Sequence, residues 1–438
     1  MKPYLSIVAT TRNDNHGGDL DRRTQIFIDS LAQQMEKHKI SSELIIVEWN
    51  PPKGRPPMAD AFQWPKKHPF LSVRIITVPA EIHANYKHSD KLPLFQMIAK
   101  NAGVRRAQGE FILETNIDII LSEELCNFIA QGKLQKNTMY RSDRVDVDRD
   151  VPKDKDLKSK LEYCESNVLR VNKKDGIYSF PPRNRARTYE NATFLLVEET
   201  PEDLSASSAF ANAKNLKSSI RKTLLKSFNS ADRITEGVPG ALANATSPLR
   251  IAAKAAVTAS TLALKIAYRT IRTTSLSQTI EKAWIEWQYR RALGFKPSFE
   301  SILGDVFHSS FGIPQLHTNA CGDFMLMDSQ SWHEIMGSPE LETYSMHIDS
   351  LTMIRAFAAG KAFVDLPYPL VHYHIEHGSG WTPEGSKSLY RSFNSKGVSI
   401  LGYADYLRLA HLEIVQKGEA SNPSTWGLKN QKLPEAHF

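Results

Sequence analysis

The chain has 438 residues, more than one hydrophobic core usually organises, so we expect one large α/β unit with an elaboration, or two domains. Hydrophobic residues make up 41% and charged residues 24%, which excludes a wholly disordered or fibrous chain. The three cysteines show no spacing typical of a disulfide framework or a zinc knuckle, and no run of about 18 apolar residues occurs. These features predict a cytoplasmic protein that does not span a membrane.

The net charge of +7 is concentrated in one segment. Residues 211–300 contain fifteen Lys or Arg and five Asp or Glu, a local charge of +10, so the rest of the chain carries −3. The surrounding segment 196–300 is rich in Ala, Ser, Thr, Leu and Lys and predicts a helical basic insert. It could face an anionic membrane surface or be a solvated elaboration. No nucleic-acid-binding motif accompanies the charge, so we expect no nucleic-acid partner.

Strands and helices alternate from the start of the chain. Apolar runs predict strands at 4–10, 43–48, 71–78 and 109–115, and helical spacing predicts helices at 22–38 and 92–107. This order predicts an α/β fold with a mostly parallel central sheet that binds ligands at the carboxyl ends of its strands. Chemistry is therefore expected at 10–16, 48–50 and 115–118.

Two polar residues follow the strand at 109–115. Asn116 and Asp118 alternate with Ile117, and oxygen ligands there could hold a divalent cation that neutralises a diphosphate. Residues 100–120 resemble the helix, strand and Asp-x-Asp segment of family-2-like glycosyltransferases, with Asn116 where the first Asp normally stands. The resemblance implies a GT-A nucleotide-sugar-binding fold, Mn²⁺ or Mg²⁺ on Asp118, and donor contacts from Asn101 and Asn116.

The same resemblance extends to the first two strands. Residues 6–14 and 44–50 are similar to the segments that contact the nucleotide base and ribose in that family. By position this implies donor contacts from Thr10, Arg12 and Glu48, although the family usually has Asp where Glu48 stands. The alternative is that Arg12 and Glu48 are surface loop residues.

The segment 321–360 resembles the acceptor side of such enzymes. Asp323 follows a glycine at a strand start, which favours binding of acceptor hydroxyls. Further on, His347-Ile348-Asp349 opens a helix containing Arg355 and ending at Gly360. Alignment with the family makes Asp349 the general base of an inverting transfer, because a carboxylate can accept a proton from a sugar hydroxyl. The alternative is an ordinary helix-capping Asp.

Three histidines and a tryptophan follow the last predicted strand. His374 and His377 could complete the cation's shell, as a His after the final strand does in some GT-A enzymes, and His372 is a weaker candidate. Trp381 could stack on an acceptor sugar. Asp143, Arg144 and Asp146 could line the same cleft, although such a charge run is usually a solvated edge.

Together these features predict residues 1–195 as the nucleotide-sugar-binding half, 196–300 as the insert, 301–390 as the acceptor-side half and 391–438 as a C-terminal helical extension. The predicted function is metal-dependent, inverting transfer of a sugar from a nucleotide-diphosphate sugar to a glycan or lipid-linked acceptor. Such an enzyme could lie peripherally on the inner face of the membrane. An inactive nucleotide-binding relative and a nucleotidyltransferase remain alternatives.

Overall fold

The computed structural model describes residues 2–15, 17–180, 186–195, 313–314, 316–377, 392–393, 395–398, 400–401, 403–415 and 422–438. The predicted insert at 196–300 and Trp381 lie outside these described residues.

Two β-sheets and the helices around them form the described structure. The strands are β1 (Leu5–Thr11), β2 (Ser42–Trp49), β3 (Leu71–Val78), β4 (Phe111–Glu114), β5 (Ile119–Leu121), β6 (Thr138–Ser142), β7 (Arg144–Val147), β8 (Val168–Lys173), β9 (Gly176–Ser179), β10 (Thr193–Leu195), β11 (Met325–Asp328), β12 (Ala362–Leu366), β13 (His372–Ile375) and β14 (Glu435–His437). The helices are α1 (Leu20–His38), α2 (Met58–Ala61), α3 (Ala80–His83), α4 (Gln96–Val104), α5 (Glu123–Ala130), α6 (Leu157–Ser166), α7 (Ser329–Glu334), α8 (Ile348–Ala358) and α9 (Tyr403–Val415).

The first sheet is built around two apolar strands. β1 and β2 are buried along their whole length, which explains their apolar sequences, since a central strand of a covered sheet has both faces buried. β1 pairs in parallel with β2 and β4, and β2 with β3. The carboxyl ends of these four strands therefore meet at one edge of the sheet.

The expected mostly parallel sheet is not confirmed, because the first sheet is mixed. Its order is β12-β6-β11-β4-β1-β2-β3-β14. β11 runs antiparallel to both β4 and β6, β14 runs antiparallel to β3, and β12 is parallel to β6. β11 and β14 thus run opposite to the parallel core, whereas β12 runs in the same direction as the core, and a local apolar pattern does not encode these directions. The coarser prediction of an α/β fold is confirmed.

The second sheet has the order β10-β9-β8-β7-β13-β5. Its apolar core includes Val145, Val171 and Tyr373, and the side chains of α6 pack on it. β13 lies between β7 and β5, and β11 lies between β4 and β6. Both sheets therefore combine strands that precede the insert in sequence with strands that follow it.

The C-terminal part differs from the predicted helical extension. α9 is helical and packs on α8, but residues 422–438 contain turns and the strand β14, which adds to the edge of β3. Phe438 stacks on Trp64, with ring centroids 5.5 Å apart. Among the described residues, every helix is too short or too polar to cross a lipid bilayer.

Candidate metal centre and neighbouring carboxylates

The pairing of β13 positions the candidate site. The loop 115–118 leads from β4 in the first sheet to β5 in the second. His374 on β13 lies opposite Ile119 of β5 on one side and Asp146 of β7 on the other. The backbone N–H of Ile375 donates to the carbonyl of Asp118 at 3.0 Å. This register brings His374 next to both Asp118 and Asp146.

Asp118, His374 and His377 form a cluster. Each offers one ligand atom, and these atoms lie within 4.8 Å of one another. The Oδ2 atom of Asp118 lies 3.3 Å from Nε2 of His377 and 3.7 Å from Nε2 of His374. The structure therefore brings together the three residues that the sequence predicted as metal ligands.

The donor atoms of this cluster fit a divalent transition-metal ion. Bonds of about 2.1 Å to nitrogen and oxygen, arranged tetrahedrally, separate neighbouring ligand atoms by about 3.4 Å, close to the separations of 3.3 and 3.7 Å found here. Imidazole suits transition metals, whereas Mg²⁺ prefers oxygen ligands. The cluster could therefore hold a divalent transition-metal ion.

Asp118 is buried with a guanidinium beside it. Arg23, in the first turn of α1, places NH1 at 2.6 Å from Oδ2 of Asp118, and both side chains are almost fully buried. Burial alone would raise the pKa of the Asp118 carboxyl, but His374, His377 and Arg23 outweigh burial and hold this pKa below its ordinary value. Asp118 is therefore a carboxylate at neutral pH, the form that binds a cation.

A second carboxylate orients His374. Oδ1 of Asp146 lies 2.8 Å from Nδ1 of His374, which directs Nε2 towards Asp118. Burial and Arg144 lower the pKa of His374, but Asp118 and Asp146 raise it more, so the net direction is upward. Only the neutral ring ligates metal, so protonation of this imidazole competes with metal binding.

Asn116 faces away from this cluster towards another carboxylate. Its Nδ2 donates to Oδ1 of Asp323, and its Oδ1 accepts a hydrogen bond from Gln96 at 3.2 Å. Asp323 is 4% exposed, and its Oδ2 accepts from NH1 of Arg144 at 2.6 Å. The structure thus joins the predicted donor residue Asn116 to the predicted acceptor residue Asp323 by a direct hydrogen bond.

Asp349 lies in the first turn of α8. Its Oδ2 accepts from the backbone N–H of Gly322 at 2.9 Å, and its Oδ1 accepts from the N–H of Ser350 at 2.8 Å. A carboxylate is stabilised there by the helix dipole. Gly322 and Asp323 belong to one short turn, Cys321–Asp323. This turn therefore contacts Asp349 through one residue and Asn116 through the next.

Thr10 and Glu48 are directed into the protein. Thr10 is 6% exposed and donates through Oγ1 to the carbonyl of Val47 at 2.8 Å. Glu48 is 1% exposed and accepts from the N–H of Met58 at 3.0 Å, and burial raises the pKa of its carboxyl. Glu48 thus anchors the start of α2 and is not a surface loop residue.

Arg12 and Asn101 occupy different surroundings. Arg12 remains partly exposed at the carboxyl end of β1, where its guanidinium contacts the Asn50 carbonyl at 3.0 Å and Asp14 at 3.2 Å. Asn101 is buried in α4, and its side-chain amide donates to the Ser338 carbonyl at 2.8 Å and to Glu340 at 3.0 Å. Arg12 can therefore reach a ligand in this arrangement, whereas Asn101 fastens α4 to the chain before α8.

Sequence reasoning missed two residues near the site, Arg23 and Glu114. Asp146 was named as a residue that could line the cleft, with a solvated edge as the usual alternative, and it is 1% exposed. Asp146 contacts a histidine because its strand, β7, pairs with the histidine-bearing strand β13. The local sequence does not reveal that pairing, so it could not identify this contact. Glu114 ends β4, and the preceding apolar residues indicated only a buried strand.

No protein-family model and no curated protein matches this chain. The fold and the site define an α/β protein with an Asp-His-His cluster, in which Asp118 and His374 are buried and His377 is partly exposed.

Proposed function

We propose that the chain is a metal-dependent glycosyltransferase with a GT-A fold, which moves a sugar from a nucleotide-diphosphate sugar to a glycan or lipid-linked acceptor. The observation that carries this proposal is the cluster of Asp118, His374 and His377 next to the carboxyl ends of the parallel strands. Ligands of α/β proteins bind at such strand ends. The resemblance of residues 4–120 and 320–381 to family-2-like enzymes supports the same function.

Asp118, His374 and His377 would hold the cation, which supplies positive charge to the donor diphosphate. Arg12, at the end of β1, would contact the nucleotide. Asp349 would accept the proton of the acceptor hydroxyl while the hydroxyl oxygen bonds to the anomeric carbon and the bond from that carbon to the diphosphate breaks. Attack on the face opposite the leaving group inverts the anomeric configuration.

The turn Cys321–Asp323 supports this division of roles. Asp349 contacts the N–H of Gly322, while Asp323 binds Asn116, which is separated from Asp118 by a single residue. The proposed base and the candidate metal centre are therefore connected through one turn. Such a connection would keep the two groups in a constant arrangement, which a transfer between two bound substrates requires.

A comparison of variants tests this function. Wild type, Asp349→Asn and His377→Gln would be assayed for hydrolysis or transfer of nucleotide sugars with Mn²⁺, beside Asp154→Asn as a matched control at an exposed carboxylate. His377→Gln is preferred to a change at Asp118, because removing Asp118 would leave Arg23 buried without this carboxylate. We expect Asp349→Asn to lower kcat by a factor of about 10²–10⁴. Only His377→Gln should weaken donor binding.

The alternatives predict different results. Binding of a nucleotide sugar without turnover would indicate an inactive nucleotide-binding protein, and release of pyrophosphate would indicate a nucleotidyltransferase. If wild type binds no nucleotide sugar in the presence of Mn²⁺, the proposed function is wrong.

We place the protein in the cytoplasm, since the cysteines are free thiols and all three are buried. The basic segment 211–300, which lies outside the described residues, would hold it on an anionic membrane surface and so near a lipid-linked acceptor.

A further inference from the structure

A buried chain of charges connects the candidate metal centre to Asn116. Asp146 contacts His374 at 2.8 Å through Oδ1, and the same oxygen lies 2.6 Å from NH2 of Arg144. Arg144 extends in the other direction to Oδ2 of Asp323 at 2.6 Å, and Asp323 accepts from Asn116. Every link joins two side chains, and each of the two carboxylates is almost fully buried.

The surroundings of Asp146 fix its carboxylate firmly. Oδ2 accepts from Nε of Arg170 at 2.9 Å and from Nδ2 of Asn172 at 2.9 Å. Arg144 and Arg170 thus place two guanidinium groups against the Asp146 carboxylate. A fixed, charged carboxylate on Nδ1 keeps the hydrogen of the neutral imidazole on that nitrogen. Nε2 is then left with the lone pair that a metal ion needs.

We infer that Asp146 is a positioning residue for the candidate metal centre, and that Arg144 couples this centre to Asp323 and Asn116. The inference rests on the cation-binding part of the proposed function and does not depend on which substrate is used. Loss of such a carboxylate behind a metal-bound histidine typically weakens metal binding by about 10–100-fold.

Mn²⁺ binding to the full chain, measured from the electron paramagnetic resonance signal of free Mn²⁺, tests the inference. Wild type would be compared with Asp146→Asn and with Asn172→Ala. The second variant is a matched control, since it removes a hydrogen bond from the other oxygen of the same carboxylate. We expect the Kd for Mn²⁺ to rise about 10–100-fold in Asp146→Asn and less than about threefold in Asn172→Ala, where the contact with His374 stays intact.

A spectroscopic measurement on wild type covers the case in which Asp146→Asn does not fold. Nitrogen-15 NMR of the histidine rings, at a pH where His374 is neutral, should show the hydrogen on Nδ1, with the signals assigned through His374→Gln. A hydrogen on Nε2 would overturn the inference.

Three binding results would also overturn it: unchanged Mn²⁺ affinity in folded Asp146→Asn, an equal loss in Asn172→Ala, or no Mn²⁺ binding by wild type. A wild type that binds Mn²⁺ but turns over no nucleotide sugar would refute the transferase function alone.

Discussion

Glu114 should make the stability of the protein depend on pH. It is 0% exposed at the end of β4, and among the described residues neither carboxylate oxygen has a hydrogen-bond partner. Burial raises the pKa of its carboxyl from 4.5 to about 7, with Lys100 acting against the shift and Asp349 adding to it. Folding therefore favours the protonated form of this group.

The sign and the size of the effect follow from this shift. A raised folded-state pKa leaves stability intact below the unfolded-state pKa of 4.5 and reduces stability as the pH rises towards 7. At about 1.4 kcal/mol for each pKa unit, the ionised group costs about 3 kcal/mol above pH 7. Glu114→Gln has nearly the same shape and no charge to lose. Its free energy of unfolding relative to wild type should therefore increase by about 2–3 kcal/mol between pH 5 and pH 8.

Urea denaturation of both proteins at several pH values between 5 and 8 measures this difference. Glu110→Gln is the control, because it makes the same substitution at an exposed carboxylate just before the same strand. If wild type and Glu114→Gln show parallel dependence on pH, Glu114 is not a buried carboxyl with a raised pKa, and the reasoning fails.

Two further predictions concern the ion pair that supports α8 and the binding of the chain to anionic membranes. Glu413→Ala should lower the free energy of unfolding by about 3–5 kcal/mol, because it removes the carboxylate 2.7 Å from the buried guanidinium of Arg355. Urea denaturation measures this loss, with Arg408→Ala, an exposed change on the same helix, as the control. Equal losses in the two variants would contradict the prediction. In liposome flotation the wild-type chain should rise with vesicles containing anionic lipid and not with neutral vesicles, because segment 211–300 is basic. Equal recovery from both would reject membrane attachment.

Local sequence patterns predicted the strands well where burial is continuous. The runs at 4–10 and 43–48 are confirmed as β1 and β2, which are buried along their whole length. Strand direction was not predictable in the same way, since β11 and β14 pair antiparallel with strands far away in the sequence. The pairing partner determines whether a sheet is parallel or mixed, and a local pattern does not identify that partner.

The candidate site was predictable where chemistry is local. Asp118 follows a buried strand, and His374 and His377 lie close together in sequence, so their residue types and the family resemblance together suggested a metal site. Asp146 was predicted only as one of three residues that could line the cleft, because a charge run looks the same in a solvated edge and in a strand buried between β8 and β13. The burial of Glu48 was also not predictable from the local sequence, since its 1% exposure results from packing against the start of α2.

Each sheet combines strands from before and after segment 196–300, and this arrangement affects how the site forms. Asp118 precedes segment 196–300 in the chain, whereas His374 follows it, and β13 must pair with both β5 and β7 before their side chains meet. Pairing between such distant segments is slow to form, because a long loop must close first. We therefore expect the candidate metal centre to form late in folding, so the appearance of metal binding during refolding would mark the pairing of β13 with β5 and β7.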